Sequence, residues 1–312
     1  MSGAGRRGVL LMTYGSPATL ERDDVGAYLA RVRGGREPDA ELLDEFTRRY
    51  RLIGGSPLIG ITRAQAAALA ACLGWPVEVG MRFSEPGIAT GLAALARAGV
   101  ERVAAIVLSP QYSPLLMSGY GDAIDAARAV ADVTVPDVTV AGAWHDEPAF
   151  VAALAGRISA ALGGLAPDAR EATTVLLTAH SLPRRVADRE PGYLAQLRST
   201  ASAVAVAAGL APERWMFCWQ SAGHEPGAWM TPDFADLMPG IAAAGGRSVL
   251  VAPVQFLADH LEILYDIDVG AREQAVAHGL AFHRIESLNA DPGLVDALAR
   301  VARRTLPAEP GG

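Results

Sequence analysis

Residues 9–17 (VLLMTYGSP) and residues 175–183 (VLLTAHSLP) share one pattern, an apolar run followed by a turn that contains a serine and a proline. An apolar run without polar alternation is typical of a strand that a parallel sheet buries on both faces. Two further pairs of segments recur in the same order, residues 81–86 with 220–226 and residues 109–112 with 253–256. Three strand-and-turn signatures in one order predict two related α/β domains.

Short β-branched runs alternate with alanine- and leucine-rich helical stretches along the rest of the chain. The predicted strands are residues 8–14, 77–81, 102–109, 138–144, 174–179, 215–219, 248–253 and 281–284. The predicted helices are residues 39–50, 62–73, 87–98, 121–131, 147–162, 193–208, 233–244, 261–278 and 292–305. This alternation predicts parallel, doubly wound sheets. We expect an N-terminal domain over residues 1–143, a C-terminal domain over 144–290, and a terminal helix in 291–312 whose return to the first domain stays open.

The composition excludes several classes of function. The 312 residues are 51% hydrophobic and carry a formal net charge of −7, which supports a packed core and argues against a nucleic-acid partner. All 27 basic residues are arginines, so lysine-based Schiff-base and Walker-type chemistry is excluded. Cys72 and Cys218 are too few for a disulfide framework, which favours a reducing cytoplasm. No stretch offers the roughly 20 mostly apolar residues that a membrane-spanning helix needs, so we expect a soluble, cytoplasmic protein.

Polar side chains follow several of the predicted strands directly. Because ligands bind outside the carboxyl ends of parallel strands, we expect these side chains on one functional rim. They are Tyr14, residues 109–112, His180, Gln220 and residues 259–262. No G-x-G-x-x-G follows the first strand and the chain has no Walker loop, so a nucleotide ligand is not favoured.

Two of these segments carry groups suited to proton and metal chemistry. His180 is either satisfied by loop backbone or, with an ordinary pKa of about 6.5, able to accept a proton and bind a metal. Glu262 and Asp266 lie four residues apart, which on an α-helix puts both carboxylates on one face. Acids in a first helical turn also suit the helix dipole, but apolar neighbours favour a narrow acidic stripe that a divalent cation could follow.

A third segment suits an anionic ligand. Residues 33–38 and 48–58 combine several arginines with a tyrosine and a serine, and a GGSP turn lies between two predicted helices. Guanidinium groups bind carboxylates in a bidentate manner, and a glycine turn allows close approach of the backbone. A polycarboxylated ligand and a solvated helix surface both explain these arginines.

Together and in this order, these features resemble the ferrochelatases, and more closely the branch that acts on coproporphyrin III. The resemblance covers residues 10–289 and is most specific at residues 179–183 (AHSLP), 219–223 (WQSAG) and 258–266 (ADHLEILYD). It implies a class II chelatase-like α/β fold, in which two similar Rossmann-like domains with parallel sheets enclose a porphyrin cleft. It also implies a lyase that inserts Fe²⁺ into coproporphyrin III to give coprohaem in haem biosynthesis.

The same resemblance implies roles for individual residues. His180 and Glu262 would be the catalytic pair and the iron site, with Asp266 as an accessory metal ligand. The implied porphyrin contacts are Tyr14, Arg33, Arg49, Tyr50, Ser56 and Tyr120, and Tyr14 would also be axial to the product iron. We expect the imidazole and the carboxylate to come from opposite halves of the duplicated chain.

Two departures from the branch bear on these roles. Gly34 stands where a second arginine is frequent, which puts one propionate contact in question. Gly270 stands where some relatives have a glutamate, which puts a secondary metal site in question. Fe²⁺ would be a substrate, no organic cofactor is implied, and two cysteines cannot hold an iron–sulfur cluster.

Other functions stay open at this point. They are a ferrochelatase for protoporphyrin IX, a chelatase for cobalt or nickel, and a non-enzymatic carrier of haem or porphyrin. The implied partners are the porphyrin, ferrous iron and, transiently, other enzymes of the haem pathway.

Overall fold

The computed structural model of the protein describes residues 5–130, 135–223 and 227–308. These residues form two compact units. Unit 1 takes the described residues within Met1–Ser109, Pro114–Trp144 and Asn289–Gly312, and unit 2 takes those within Pro110–Ser113 and His145–Leu288. The last helix of the chain therefore belongs to unit 1, where it packs against an earlier helix and a strand.

Strands and helices alternate along the described residues. The strands are β1 (Arg7–Thr13), β2 (Val77–Met81), β3 (Arg102–Val107), β4 (Asp137–Val140), β5 (Thr173–His180), β6 (Trp215–Gln220), β7 (Ser248–Pro253) and β8 (Ala281–Arg284). The α-helices are α1 (Arg22–Val32), α2 (Ala40–Leu52), α3 (Leu58–Leu73), α4 (Ile88–Arg97), α5 (Pro114–Val130), α6 (Pro148–Gly163), α7 (Pro167–Glu171), α8 (Arg184–Ala187), α9 (Pro191–Ala207), α10 (Phe234–Ala243), α11 (Arg272–Ala277) and α12 (Pro292–Thr305). A short 3-10 helix covers Pro212–Arg214, and a π-helix covers Glu262–Ala271.

Both sheets are parallel and share one strand order. Unit 1 has the order β2-β1-β3-β4 and unit 2 the order β6-β5-β7-β8. β1 and β5 are central and almost entirely buried, as their apolar runs require. The predicted pair of doubly wound parallel sheets is therefore confirmed, and the sequence repeat has a matching repeat of topology.

The repeat is especially clear where β2 and β6 end. Met81 pairs with Thr13 of β1, and Trp219 pairs with Ala179 of β5. The backbone N–H of Met81 donates to the carbonyl of Pro86 at 2.8 Å, and that of Trp219 donates to the carbonyl of Pro232, also at 2.8 Å.

Pro86 thus corresponds to Pro232, which corrects the predicted match of residues 81–86 with 220–226. The loop after β6 is longer than the loop after β2, so Pro232 lies further along the chain from the end of its strand than Pro86 does. Glu225 and Pro226 themselves lie outside the described residues.

Several elements differ from the prediction. Helix α1 was not predicted, because its charged sequence contains a glycine. Helices α7 and α8 have five and four residues, too short to show helical period. Helix α5 begins at Pro114 rather than at residue 121, since proline is well tolerated in a first turn. Residue 131, at the predicted end of that helix, lies outside the described residues.

The predicted helix over residues 261–278 is divided in two. The π-helix takes the first part and α11 the second. The side chains of Ile263, Ile267 and Ala271 are fully buried. They belong to the part of the unit 2 core that α10 and β7 also line. In the described part of the chain, no helix has the length and hydrophobicity needed to cross a membrane.

Candidate functional site

The carboxyl edge of the unit 2 sheet places His180 at the end of β5. Its backbone N–H donates to Oε1 of Gln255, which follows the neighbouring strand β7, at 2.8 Å. Nε2 of Gln255 in turn donates to the hydroxyl of the buried Tyr193 at 2.6 Å. The backbone of His180 is therefore held by side chains from β7 and α9.

The His180 imidazole faces a carboxylate. Its Nδ1 is hydrogen-bonded to the carbonyl of Ser181, and its Nε2 lies 3.6 Å from Oε1 of Glu262. Because a carbonyl only accepts, Nδ1 carries a proton and Nε2 is directed at the carboxylate. Both side chains remain partly accessible, at 29% for His180 and 35% for Glu262. The structure therefore places the two predicted catalytic side chains beside one another.

The electrostatics of this pair differ from the expectation of an ordinary histidine. Burial disfavours the charged imidazole, but the negative charge and hydrogen bond of Glu262 outweigh it and raise the pKa of His180 to about 9. The bond to the Ser181 carbonyl and the charge of Asp266 act in the same direction. Near neutral pH the metal-free pair is thus an imidazolium beside a carboxylate.

Glu262 lies between two histidines. Its Oε2 is 3.4 Å from Nε2 of His260, whose Nδ1 bonds the carbonyl of Ala258 at 2.9 Å. The His260 ring also rests on Phe256, with ring centroids 4.6 Å apart. Burial alone would raise the pKa of Glu262, but His180 and then His260 lower it well below its ordinary value. The sequence placed His260 on the predicted rim without giving it a chemical role, and Phe256 was not predicted at the site.

The π-helix presents the acidic stripe. The backbone N–H of Arg272 donates to the carbonyl of Ile267, a spacing of five residues that an α-helix lacks. Glu262 and Asp266 directly precede the buried Ile263 and Ile267, so the acids form a partly exposed row beside the core. Within residues 5–130, 135–223 and 227–308, no group of three or more His, Cys, Asp or Glu side chains is arranged to hold a metal.

One expectation about this pair is wrong. His180 and Glu262 both belong to unit 2, rather than to opposite halves of the chain. The reason is topological, since β5 and β7 are neighbours in one sheet and the π-helix follows β7.

Two glutamines predicted on the rim have buried side chains instead. Oε1 of Gln220 accepts from the hydroxyl of Thr178 at 2.5 Å. Nε2 of Gln111 donates to the hydroxyl of Thr200 at 3.0 Å, inside unit 2. Asp259 forms a salt bridge with Arg284, in which Oδ1 of Asp259 lies 3.4 Å from Nη1 of Arg284. Position after a strand therefore identified the rim only in part, because loops can turn a side chain back into the core.

Unit 1 has an aromatic and cationic cluster at the same edge of its sheet. Tyr14 follows β1 and is 48% exposed, with its ring centroid 5.0 Å from that of Phe83. Tyr120 is buried, and the Arg82 guanidinium lies 5.4 Å from its ring and 4.7 Å from that of Phe83. Burial and the nearby Tyr14 raise the pKa of Tyr120 despite the opposing charge of Arg82. Arg82 and Phe83 follow β2, a signal that the sequence analysis did not use.

The arginine-rich segment contributes partly buried groups. Nε of Arg33 is buried and forms no hydrogen bond with any atom of the described residues. Arg49 is paired with Glu45 at 2.7 Å, and Tyr50 is only 4% exposed. The hydroxyl of Ser56 accepts from the backbone N–H of Leu58 at 3.4 Å.

The two glycine departures have different structural settings. Gly34 has a φ of +68°, a left-handed conformation that an arginine there would adopt only with strain. At Gly270 a Cβ would meet only the Tyr265 carbonyl, at 3.9 Å. A side chain would therefore fit at Gly270, whereas the backbone at Gly34 favours glycine.

The fold is that of the class II chelatases. It is similar to that of SirB from Bacillus subtilis with Fe³⁺, with a TM-score of 0.57 and 14% identity over 96% of this chain and 95% of the other. It is also similar to that of the sirohydrochlorin chelatase SirB from Bacillus subtilis subspecies spizizenii in complex with cobalt, with a TM-score of 0.56 and 12% identity over 96% and 95%.

The sequence comparisons identify the family. The sequence model of the ferrochelatases matches residues 6–306. The ferrochelatase of Deinococcus radiodurans is 38% identical over 95% of each chain. The coproporphyrin III ferrochelatases of Geobacillus thermodenitrificans and Bacillus subtilis are 35% and 33% identical, over 97% and 96% of this chain and 96% and 98% of theirs. The chain therefore belongs to the ferrochelatase family, lyases that insert iron into a porphyrin in haem biosynthesis.

Proposed function

We propose that this ferrochelatase acts on coproporphyrin III, producing coprohaem, with His180 and Glu262 as its catalytic and iron-binding pair. The observation that carries the assignment of the pair is the 3.6 Å approach of Nε2 of His180 to Oε1 of Glu262 at the carboxyl edge of a parallel sheet. Asp266, four residues after Glu262 on the π-helix, is the accessory metal ligand in this proposal.

The chemistry requires two N–H protons to leave the free-base porphyrin as Fe²⁺ enters. His180 is protonated beside Glu262 in the metal-free protein, because its pKa is about 9. A cation that binds Glu262 would offset the carboxylate charge that holds this proton, and would thereby lower the pKa of His180. The imidazole would then release its Nε2 proton to solvent when the metal arrives, and the freed Nε2 could act either as a ligand or as a base.

The proposed porphyrin contacts lie in unit 1 and comprise Tyr14, Arg33, Arg49, Tyr50, Ser56 and Tyr120. Guanidinium and hydroxyl groups suit the propionates, and Tyr14 is sufficiently exposed for its hydroxyl to reach a metal product. Binding energy from such remote groups can also bend the macrocycle, which exposes its nitrogen lone pairs.

Coproporphyrin III is favoured over protoporphyrin IX because it has four propionates rather than two. Several relatives at 32–35% identity are named coproporphyrin III ferrochelatases, which supports the same choice. The test is steady-state insertion of Fe²⁺ into each porphyrin by the intact protein. We expect a higher kcat/KM for coproporphyrin III, and a higher value for protoporphyrin IX would contradict the proposal.

Two other functions can be tested in the same assay. The cobalt-bound SirB shares this fold, so a metal panel with Fe²⁺, Co²⁺ and Ni²⁺ tests for a cobalt or nickel chelatase. A carrier would bind porphyrin without the loss of the free-base spectrum on addition of Fe²⁺. We expect Fe²⁺ insertion to be fastest.

We also propose a cytoplasmic setting with transient transfer of product to other haem-pathway enzymes. The exposed Cys72 and the buried Cys218 are both free thiols, which suits a reducing compartment. Retention of activity in a reducing buffer, and recovery of the protein in the cytoplasmic fraction, would test this setting.

A further inference from the structure

Arg284, at the end of the edge strand β8, binds two carboxylates of unit 2. Its Nε and Nη2 donate to Oδ1 and Oδ2 of Asp268 at 2.7 and 2.9 Å. Its Nη1 lies 3.4 Å from Oδ1 of Asp259 and also donates to the Ile285 carbonyl and the Ser287 hydroxyl. The arginine side chain is only 15% exposed, so water weakens these bonds little.

The two carboxylates bracket the acidic stripe. Asp259 lies three residues before Glu262, and Asp268 lies on the π-helix two residues after Asp266. The Ser287 hydroxyl donates to Oδ1 of Asp259 at 2.7 Å and completes the network. One guanidinium therefore holds both ends of the segment that presents the stripe.

The π-helix needs such an anchor. Its hydrogen bonds span five residues, and helices of this type usually extend for a single turn. Here ten residues are π-helical, and their buried side is formed by Ile263, Ile267 and Ala271. Apolar contacts hold that side without directional bonds, whereas the planar Arg284 fork has a defined geometry toward Asp268.

We propose that Arg284 is a positioning residue for iron delivery, which holds the π-helix so that Glu262 and Asp266 stand in one row beside His180. The inference rests on the proposed roles of these three residues. Arg284 contacts neither Glu262 nor His180 in the network described, so it acts through the helix rather than on the metal. Removing it would also leave two partly buried carboxylates without their shared cation, so a conservative substitution is the better test.

The experiment compares Arg284→Lys with Arg157→Lys in the full chain. Lysine keeps the charge but cannot form the fork. Arg157 provides a matched control, because it pairs with the exposed Glu286 of the same unit at 2.8 Å and has no contact with the π-helix in that pair. We expect Arg284→Lys to raise the KM for Fe²⁺ by about tenfold, the low end of the range for loss of an outer-shell partner, because Arg284 acts through the helix, without raising the KM for the porphyrin. Arg157→Lys should change neither value.

Asp268→Asn provides a second variant if Arg284→Lys folds poorly, as judged by its circular dichroism. It keeps the size of the side chain and weakens the same fork, so we expect the same selective rise in the KM for Fe²⁺. Hydrogen exchange of the π-helix should be faster in both variants. Faster exchange with an unchanged KM for Fe²⁺ would overturn the inference, because the role of Arg284 would then be structural only.

His180→Ala in the same series separates the two proposals. If it loses iron insertion while both fork variants keep the parent KM for Fe²⁺, the positioning role falls and the proposed function stands. If His180→Ala inserts iron at the parent rate, the proposed function of the pair falls, whatever the fork variants do.

Discussion

The two units have the same strand order but carry different chemistry at the carboxyl edge of their sheets. In unit 1 Tyr14 directly follows the central strand β1, and the loop after β2 supplies Phe83 and Arg82. In unit 2 the equivalent strand ends at His180, which faces Glu262 from the π-helix. The topology depends on buried apolar strands, which both units keep, whereas the residues after the strands are free to differ. The comparison indicates that one strand order carries different side chains at its carboxyl edge in the two units.

The two matching glutamines show how far this divergence goes. Gln255 follows β7 and accepts from the backbone of His180, so it supports the site. Gln111 follows β3, the equivalent strand, yet its side chain is buried against α9, and Pro110–Ser113 belongs to unit 2. A repeated sequence position therefore need not have a repeated role.

His180→Ala is expected to have the largest effect, because it removes the central group of the unit 2 site. Iron insertion should fall by roughly 10²- to 10⁴-fold, the range for loss of a general acid–base group, while porphyrin binding persists. Absorbance assays of insertion and fluorescence titration with free-base porphyrin measure the two quantities. The control is His278→Ala, at an exposed position after α11. Equal rates of iron insertion in the two variants would contradict the assignment of the catalytic group to unit 2.

Glu262→Gln should have the next largest effect. The amide keeps the shape but loses the charge that binds the cation, so we expect a 10- to 100-fold decrease, roughly, in kcat/KM for Fe²⁺. The pKa of His180 should also decrease from about 9, because Glu262 is the main group that raises it. Titration of the imidazole by NMR measures this decrease, and an unchanged pKa would show that Glu262 is not its cause.

The pH dependence of the free energy of unfolding tests the ion pair of unit 2 without an activity assay. The folded pKa of His180 is raised from 6.5 to about 9, so its stabilising contribution is complete below pH 6.5 and is lost as the pH rises through about 9. Glu262 has a lowered folded pKa, so its contribution is present above pH 4.5 and is lost under more acidic conditions. Urea unfolding of the parent and of Glu262→Gln should therefore differ most between pH 4.5 and 6.5 and converge above about pH 9. A constant difference across this range would contradict the ion pair.

Tyr14→Phe tests the unit 1 rim and should have a smaller effect. The ring contact with Phe83 does not need the hydroxyl, so the fold and most of the insertion rate should persist. The visible spectrum of the protein with bound iron product should change, because the proposed axial oxygen is absent. An unchanged spectrum would exclude Tyr14 as the axial ligand.

Glu45→Gln should have the smallest effect, since it alters a partly exposed ion-pair network of unit 1. The hydrogen bonds from Arg48 and Arg49 lower the pKa of Glu45 to about 2. The loss of stability at neutral pH should be under about 1 kcal/mol, as for other exposed pairs. Because the folded pKa is lowered, the difference between parent and variant should be present above pH 4.5 and disappear as the pH falls toward about 2. Urea midpoints across this range measure it.

Much of the fold could be predicted from local pattern. Apolar runs such as residues 9–12 and 175–177 identified the central strands, because a strand buried on both faces has few alternatives in composition. Helix α1 and the one-turn helices were missed, since their stability comes from packing rather than from their own period.

By itself, the sequence determined the duplicated strand pattern and the family, and it singled out His180, Glu262 and Asp266 as candidate site residues. The tertiary structure alone decided that His180 and Glu262 share one unit, that a π-helix carries the acids, and that Arg284 binds Asp268 of this helix. It also placed Glu262 where its charge raises the pKa of that imidazole. The physical reason is the distance along the chain over which each property is decided. Strand pattern and residue type are local properties of the sequence. The pairing of His180 with Glu262, the pKa of His180 and the form of the helix depend on groups that meet only when distant segments pack together.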